Sequence, residues 1–302
     1  MQRISMQNMS FQYLTDLNRA LAKQNKLQEQ MSTGRKINRA SDDPIGISRS
    51  IALRNSYSKN SRYLANAKQA QSLMQTADSA LQDISSALIK AKELIVEAAN
   101  GTNTPEDRKT FGIELEQILD TIVAAGNTDV GGRYLFAGQD DGQQPFIRAA
   151  NGEVSFVGDN NPVSIRLQSG GIVPNQDAIN VTCAEAFGPN LELFTDINNI
   201  AKSLKDGSAT DVWLSNTALG QIDSAHYRVL QADTALGARM ASYQMTTNLL
   251  EEKDTTIQQD ISDVEDIDLA KVISEYQLWT TVYDATLKVG SKVLPMTLAN
   301  FI

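Results

Sequence analysis

From position 219 onward, the residues Leu219, Ile222, His226, Val229, Asp233, Leu236, Met240, Tyr243, Thr247, Leu250, Asp254, Ile257, Ile261 and Val264 follow strict alternating steps of three and four. A period near 3.5 residues keeps one stripe on one side of an α-helix, so this stretch is expected to be one long helix laid against another. From Pro44, a second pattern runs through Tyr57, Leu64, Ala67, Met74, Leu81, Ile84, Leu88, Ala91 and Ile95 to Ala98. Asn100-Gly101 stops it, and Thr104-Pro105 with Asp107 restarts a helix carrying Phe111, Leu115, Ile118, Leu119 and Ile122 up to Gly126. Two successive helices with a tight turn between them predict an antiparallel hairpin.

Between Tyr134 and about Thr182 the period changes. Val154 and Phe156 alternate with polar residues, as do Val163, Ile165 and Leu167. Asn151-Gly152, the run from Gly158 to Pro162, and Gly170-Gly171 divide the segments. A small antiparallel β insert is expected here. Leu191 to Leu204 returns to a helix that Gly207 ends.

The two ends of the chain form a complementary pair. The first helix carries a thin stripe, Leu14, Leu17, Leu21, Leu27 and Met31, diluted by Asn18, Gln24, Asn25 and Gln28. The last carries a wide, aromatic one: Leu269, Val272, Tyr276, Trp279 and Tyr283, then Leu287, Leu294 and Leu298. A helix as polar as the first depends on packing for its stability. These thirteen residues are the candidate packing positions of the terminal helices. They either form a two-helix coil within one chain or leave apolar area that neighbouring copies cover. The expected fold is mainly α with a small antiparallel β insert, an elongated multi-helix rod closed by a two-helix coiled coil of the N- and C-terminal segments. Three domains are expected: 1–43 with 257–302, 44–138 with 191–256, and 139–190.

Between the first two helices lies "MSTGRKINRASDD", followed by Pro44. Gly34 is placed to end one helix in a left-handed conformation. Ser41, Asp42 and Asp43 before proline make a strong start for the next, with acids at the positive end of its dipole. Arg35, Lys36 and Arg39 beside those acids read as a local ion-pair network joining two helices.

Composition removes several classes of function. A net charge of -9 argues against nucleic acid, whose phosphates require a basic face. One cysteine, Cys183, and one histidine, His226, leave no disulfide framework and no Cys/His zinc site. Cys183 sits in a small-residue stretch with no activating charge. His226 and Asp233 lie seven residues apart on the heptad seam, where polar residues set register. Asp140-Asp141-Gly142 lacks the alternating ligands of a calcium loop and reads as a turn. No phosphate loop, nucleophile elbow or zinc-protease helix is present. The expectation is a non-enzyme with no cofactor, no metal and no membrane insertion. The N-terminus lacks the pattern of a cleaved secretory signal, which leaves the cytoplasm or an export route that reads an uncleaved N-terminus.

Three motifs carry a resemblance. "MSTGRKINRASDDPIG" at 31–46 resembles the stretch after the first helix of bacterial flagellins and their relatives, "ALIKAKELIVEAANGTNT" at 87–104 their rod-helix motif, and "SDVEDIDLAKVISEY" at 262–276 the opening of their C-terminal helix. The resemblance covers roughly 1–138 and 208–302. "GNTDVGGRYLFAG" at 126–138 is similar to a turn of the members that join hook to filament, rather than to the filament protein. The resemblance implies an axial structural protein installed in a ring of its own copies, between a hook-side junction protein and flagellin. It further implies extracellular placement after unfolded export without cleavage, and a cytoplasmic export chaperone. The alternative is a short self-polymerising flagellin. It also implies that Gly34, Arg35, Lys36, Asn38, Arg39, Asp42 and Asp43 form a joint between an inner coil and an outer rod.

Overall fold

The computed structural model describes residues 2–167 and 178–293. Eight α-helices and two short β-hairpins are formed by them: α1 (Gln2–Thr33), α2 (Pro44–Ala98), α3 (Pro105–Gly126), β1 (Asp129–Val130), β2 (Arg133–Tyr134), β3 (Phe146–Arg148), β4 (Val154–Phe156), α4 (Cys183–Phe187), α5 (Glu192–Asp206), α6 (Asp211–Trp213), α7 (Leu219–Glu265) and α8 (Leu269–Val293). The turn of π-helix at Leu214–Ala218 carries α6 into α7. The fold is therefore mainly α with a small antiparallel β insert.

The long helices begin and end where local chemistry directs. Proline opens α2 and α3, where a missing backbone N–H costs nothing. Thr104 and Asp107 complete a reciprocal capping box at the start of α3. A second such box, Thr182 with Glu185, starts the short α4, which sequence patterning did not reveal.

The chain packs into two compact units, residues 1–59 with 253–302 and residues 60–252, where three were expected. In the 60–252 unit α2 and α7 run antiparallel. The Asn60 side-chain amide donates to the Leu250 carbonyl at 2.8 Å, Gln71 to Gln244 at 2.8 Å, and Lys92 pairs with Asp223 at 2.6 Å. Their seam buries Met74, Leu81, Ile84, Leu88 and Ile95 with Ile222, Val229 and Leu236, and α3 and α5 close it with Leu115, Leu119, Ile197 and Ile200. Phe146 on β3 lies 4.8 Å from Phe187, 5.0 Å from Phe194 and 5.4 Å from Phe156 between ring centroids. These rings belong to the same core as the helices. This is why 139–190 is not a body of its own: its large side chains fill the space beside α3 and α5.

The β insert is smaller than the alternation suggested. β1 pairs with β2 around Gly131-Gly132, and β3 pairs with β4 with Phe146 opposite Phe156. The expected strand through Val163, Ile165 and Leu167 reduces, among the described residues, to a single bridge between Ser164 and Ala178. The Val163 amide donates to the side chain of Asn180 at 2.8 Å, while the Val163 carbonyl accepts from the Ile179 amide at 2.8 Å. Gly170-Gly171 lies outside the described residues.

Candidate functional site

Two regions of the 1–59/253–302 unit hold the residues singled out by the sequence. In the first, Gly34 takes φ +71°, and its amide donates to Gln30 as α1 ends. The chain then runs antiparallel to the α7–α8 connection, with Arg35 opposite Asp266. The Lys36 amide donates to the Glu265 carbonyl at 2.6 Å and the Ile267 amide to the Gly34 carbonyl at 3.2 Å.

Below this bridge sits Glu265, 5% exposed. Arg54 grips both of its carboxylate oxygens, through Nε at 2.7 Å and through Nη2, while Ser50 donates to it and Arg35 approaches to 3.7 Å. The Arg54 hydrogen bonds, set against desolvation, hold the Glu265 carboxyl down to about 2. Arg54 is pushed up in turn by the same bond.

Asp42 pairs with Lys26 at 2.8 Å and accepts from the amides of Asn38 at 3.2 Å and Arg39 at 3.0 Å. Its pKa is lowered, first by the Lys26 bond and next by the Arg39 amide. Asp43 accepts from the amides of Ile45 and Gly46, capping α2. Arg39 reaches Glu29 at 3.3 Å, and the Asn38 side chain donates to the Arg35 carbonyl. Lys36 contributes backbone, its amide and a carbonyl that accepts from Gln30 at 2.8 Å.

The structure therefore brings these seven positions together, and adds others the sequence reading missed: Lys26, Glu29 and Gln30 on α1, and Ile37, Ser50, Arg54 and Glu265. Ile37 is buried, and it is the apolar residue inside an otherwise polar stretch. A signal for Arg54 and Glu265 existed only in their helical faces, since each is one charge among many.

The second region is the α1–α8 pair. Ala20, Leu27 and Val272 are buried, and Leu17, Met31, Tyr276, Trp279 and Tyr283 are half-buried. Gln24 donates across the pair to Thr280 at 3.3 Å. A Cβ on Gly290 would come within 2.0 Å of the Tyr13 ring, so a glycine lets the helices close there. Leu14, Leu21, Leu269 and Leu287 of the candidate set are exposed, and so are Phe11, Ile273, Leu278, Val282 and Val289, which it omitted. Gln12, Tyr13 and Asp16 of α1 and Val282, Ala285, Thr286 and Val289 of α8 line a groove of about 480 Å³. Leu294 and Leu298 lie outside the described residues.

The positions weighed for chemistry are dispersed. His226 Nε2 meets Ser85 Oγ at 2.9 Å. Asp233 is raised, by burial first and then by a hydrogen bond with Asp78, so two carboxyl groups face each other on the α2–α7 seam. Burial pushes the Cys183 thiol up to about 12. Asp141 pairs with Arg133. Among the described residues no group of three or more His, Cys, Asp or Glu could hold a metal, and no helix is long and apolar enough to cross a membrane.

Comparison with known proteins agrees with this architecture at both ends. Residues 4–141 match the bacterial flagellin N-terminal helical region and residues 219–301 the bacterial flagellin C-terminal helical region. The chain is 28% identical to flagellar hook-associated protein 3 of Salmonella typhimurium, with 98% of each covered, and 27% identical to that of Escherichia coli, with 95% of each covered. Polar flagellin C of Vibrio parahaemolyticus is 33% identical over 144 residues, 47% of this chain and 37% of that protein. In fold, the chain is similar to a solved flagellar hook-associated protein of Vibrio parahaemolyticus, with TM-score 0.67 and 20% identity over 74% of this chain and 100% of that one. The flagellar hook associated protein-3 of Legionella pneumophila gives TM-score 0.62 and 14% identity over 70% and 98%. With helical regions matched at both ends and a short β-containing insert between them, the chain belongs to the bacterial flagellin family of flagellar structural proteins.

Proposed function

We propose that the chain is a non-catalytic adaptor of the flagellar axis, joining the hook, through a hook-side junction protein, to the flagellin filament. One observation carries this reading. The likeness to hook-associated protein 3 of Salmonella typhimurium covers 98% of both chains at 28% identity, more than that to flagellin of Halalkalibacterium halodurans, 25% identical over 83% of this chain, or to polar flagellin C, over 47% of it. The protein acts outside the cell at the hook–filament junction, in a ring of its own copies. It reaches that place without a cleaved signal, after a cytoplasmic export chaperone has held it.

The apolar residues that α1 and α8 leave uncovered support a role for these helices in subunit packing, with neighbouring copies covering Leu14, Leu21, Leu269 and Leu287. Gly34, Arg35, Lys36, Asn38, Arg39, Asp42 and Asp43 act as a joint. Their contacts are mostly polar and partly exposed, so they tolerate a change of angle between the α1–α8 pair and the first turns of α2 better than packed apolar side chains would. A second reading, a short self-polymerising flagellin, draws on the 33% identity to polar flagellin C.

Electron microscopy separates the two. The purified chain is placed under conditions that nucleate flagellin, alone and with hook ends already bearing the hook-side junction protein. The adaptor gives no filaments alone and a short collar on hook ends that then accepts flagellin. Filaments from the chain alone would establish the flagellin reading instead.

A further inference from the structure

The chain contains two Asn-Gly pairs, Asn100-Gly101 and Asn151-Gly152. In such a pair the glycine nitrogen reaches the preceding side-chain amide with little hindrance, because glycine has no Cβ and a freely turning backbone. The fold treats the two pairs differently. Gly152 is buried, and its amide donates to the Ala149 carbonyl at 2.9 Å. The Asn151 side chain is held at both ends by Glu153, donating to its carboxylate at 2.8 Å and accepting from its amide at 3.1 Å. Rotation of that side chain towards Gly152 N would break both of its bonds to Glu153, and attack by that nitrogen would also cost its bond to the Ala149 carbonyl.

At the α2–α3 turn, Asn100 and Gly101 are both exposed. Among the described residues the Gly101 amide has no hydrogen-bond acceptor. One long bond restrains the Asn100 side chain, from the Thr102 amide to Oδ1 at 3.3 Å, and its nitrogen is uncommitted among the described residues. Asp211 is the acid beside Gly101, with one carboxylate oxygen 3.2 Å from where a Cβ would stand. Its other oxygen is bound by Arg108, which offsets its charge.

We propose that Asn100 is a site of slow covalent modification in the folded chain, its amide converting through a succinimide to aspartate and isoaspartate, and that the fold protects Asn151 from the same reaction. The Gly101 nitrogen gives up its proton and bonds to Asn100 Cγ. The bond from Cγ to the side-chain nitrogen breaks, and ammonia leaves. Water then opens the ring at either carbonyl. One water enters and one ammonia departs, with no oxidant or reductant.

The products are not neutral for the fold. Each places a carboxylate just beyond the C-terminal, negative end of the 55-residue α2. Isoaspartate also lengthens the backbone by a methylene where the Asn103 amide donates to the Asn100 carbonyl at 3.1 Å. The α2–α3 turn therefore loosens with age, at a point remote in sequence from the terminal helices.

The experiment follows both sites in the full chain during warm incubation at mildly alkaline pH. Peptide mass mapping and enzymatic methylation of isoaspartate quantify conversion. Because Asn151 must first break hydrogen bonds, the folded chain is expected to convert Asn100 roughly ten-fold faster or more. In concentrated urea the two rates are expected to converge. Equal rates in the folded chain, faster conversion at Asn151, or a ten-fold difference persisting in urea would each overturn the proposal.

Discussion

Glu265 is an acid that the fold encloses while two arginines and a serine reach it from elsewhere in the chain. Its carboxyl titrates near 2 against an ordinary value of 4.5, so the native state favours the charged form. This contribution is fully present above about pH 4.5 and is lost as pH falls from there through about 2. Glu265→Gln keeps the shape and removes the charge. Arg54 and Arg35 remain half-exposed and rehydrate, which limits the expected cost to about 2 kcal/mol at neutral pH. Thermal unfolding of both forms across pH checks this: their difference should shrink below pH 4.5 and close towards 2. A constant difference down to pH 2 would place the effect in packing rather than in charge. The cluster was half legible in the sequence. Arg35 stands out because it follows a helix-ending glycine. Glu265 lies among Asp260, Asp263, Asp266 and Asp268, and only the pairing of α7 with α2 singles it out.

The long elements were readable to the residue where proline marks a start, as at Pro44 and Pro105, and where the stripe is strict, as through α7. What could not be read was which side of a wide stripe a single partner covers. On α8 the apolar positions span more than half the helix, and α1 is too narrow to cover them. Val272 turns inward while Leu278 and Val289 stay in water. The inner and outer positions should therefore separate by substitution. Leu27→Ala removes a side chain that is 2% exposed and is expected to cost about 2–4 kcal/mol in α1–α8 pairing. Leu278→Gln, at a position 60% exposed, should leave the monomer within about 0.5 kcal/mol of the parent yet, on the adaptor role proposed above, weaken assembly on hook ends. Circular-dichroism melting together with a sedimentation assay of assembly distinguishes them. If Leu278→Gln assembles normally, the outer stripe is not a packing surface.

At the scale of the whole chain, the apolar core is unevenly shared. The 60–252 unit holds the phenylalanine cluster and the buried faces of α3, α5 and α7. The buried apolar residues of the other unit, among those described, are Ala20, Leu27, Ile37, Ile257 and Val272. Since stability scales with apolar area removed from water, the 1–59/253–302 unit is the weaker one. The two tryptophans report on them separately, Trp279 in that unit and Trp213 in the other. In urea, a Trp213→Phe chain should show its fluorescence change at lower denaturant than a Trp279→Phe chain. Continuity works against this separation, because α2 and α7 each run through both units, and a helix passes order along its length. Coincident transitions would mean that this coupling exceeds the difference in core. Separate transitions would mean that the difference in core exceeds this coupling, and, on the adaptor role proposed above, the Trp279 transition should then move up towards the Trp213 transition when neighbouring copies cover α1 and α8.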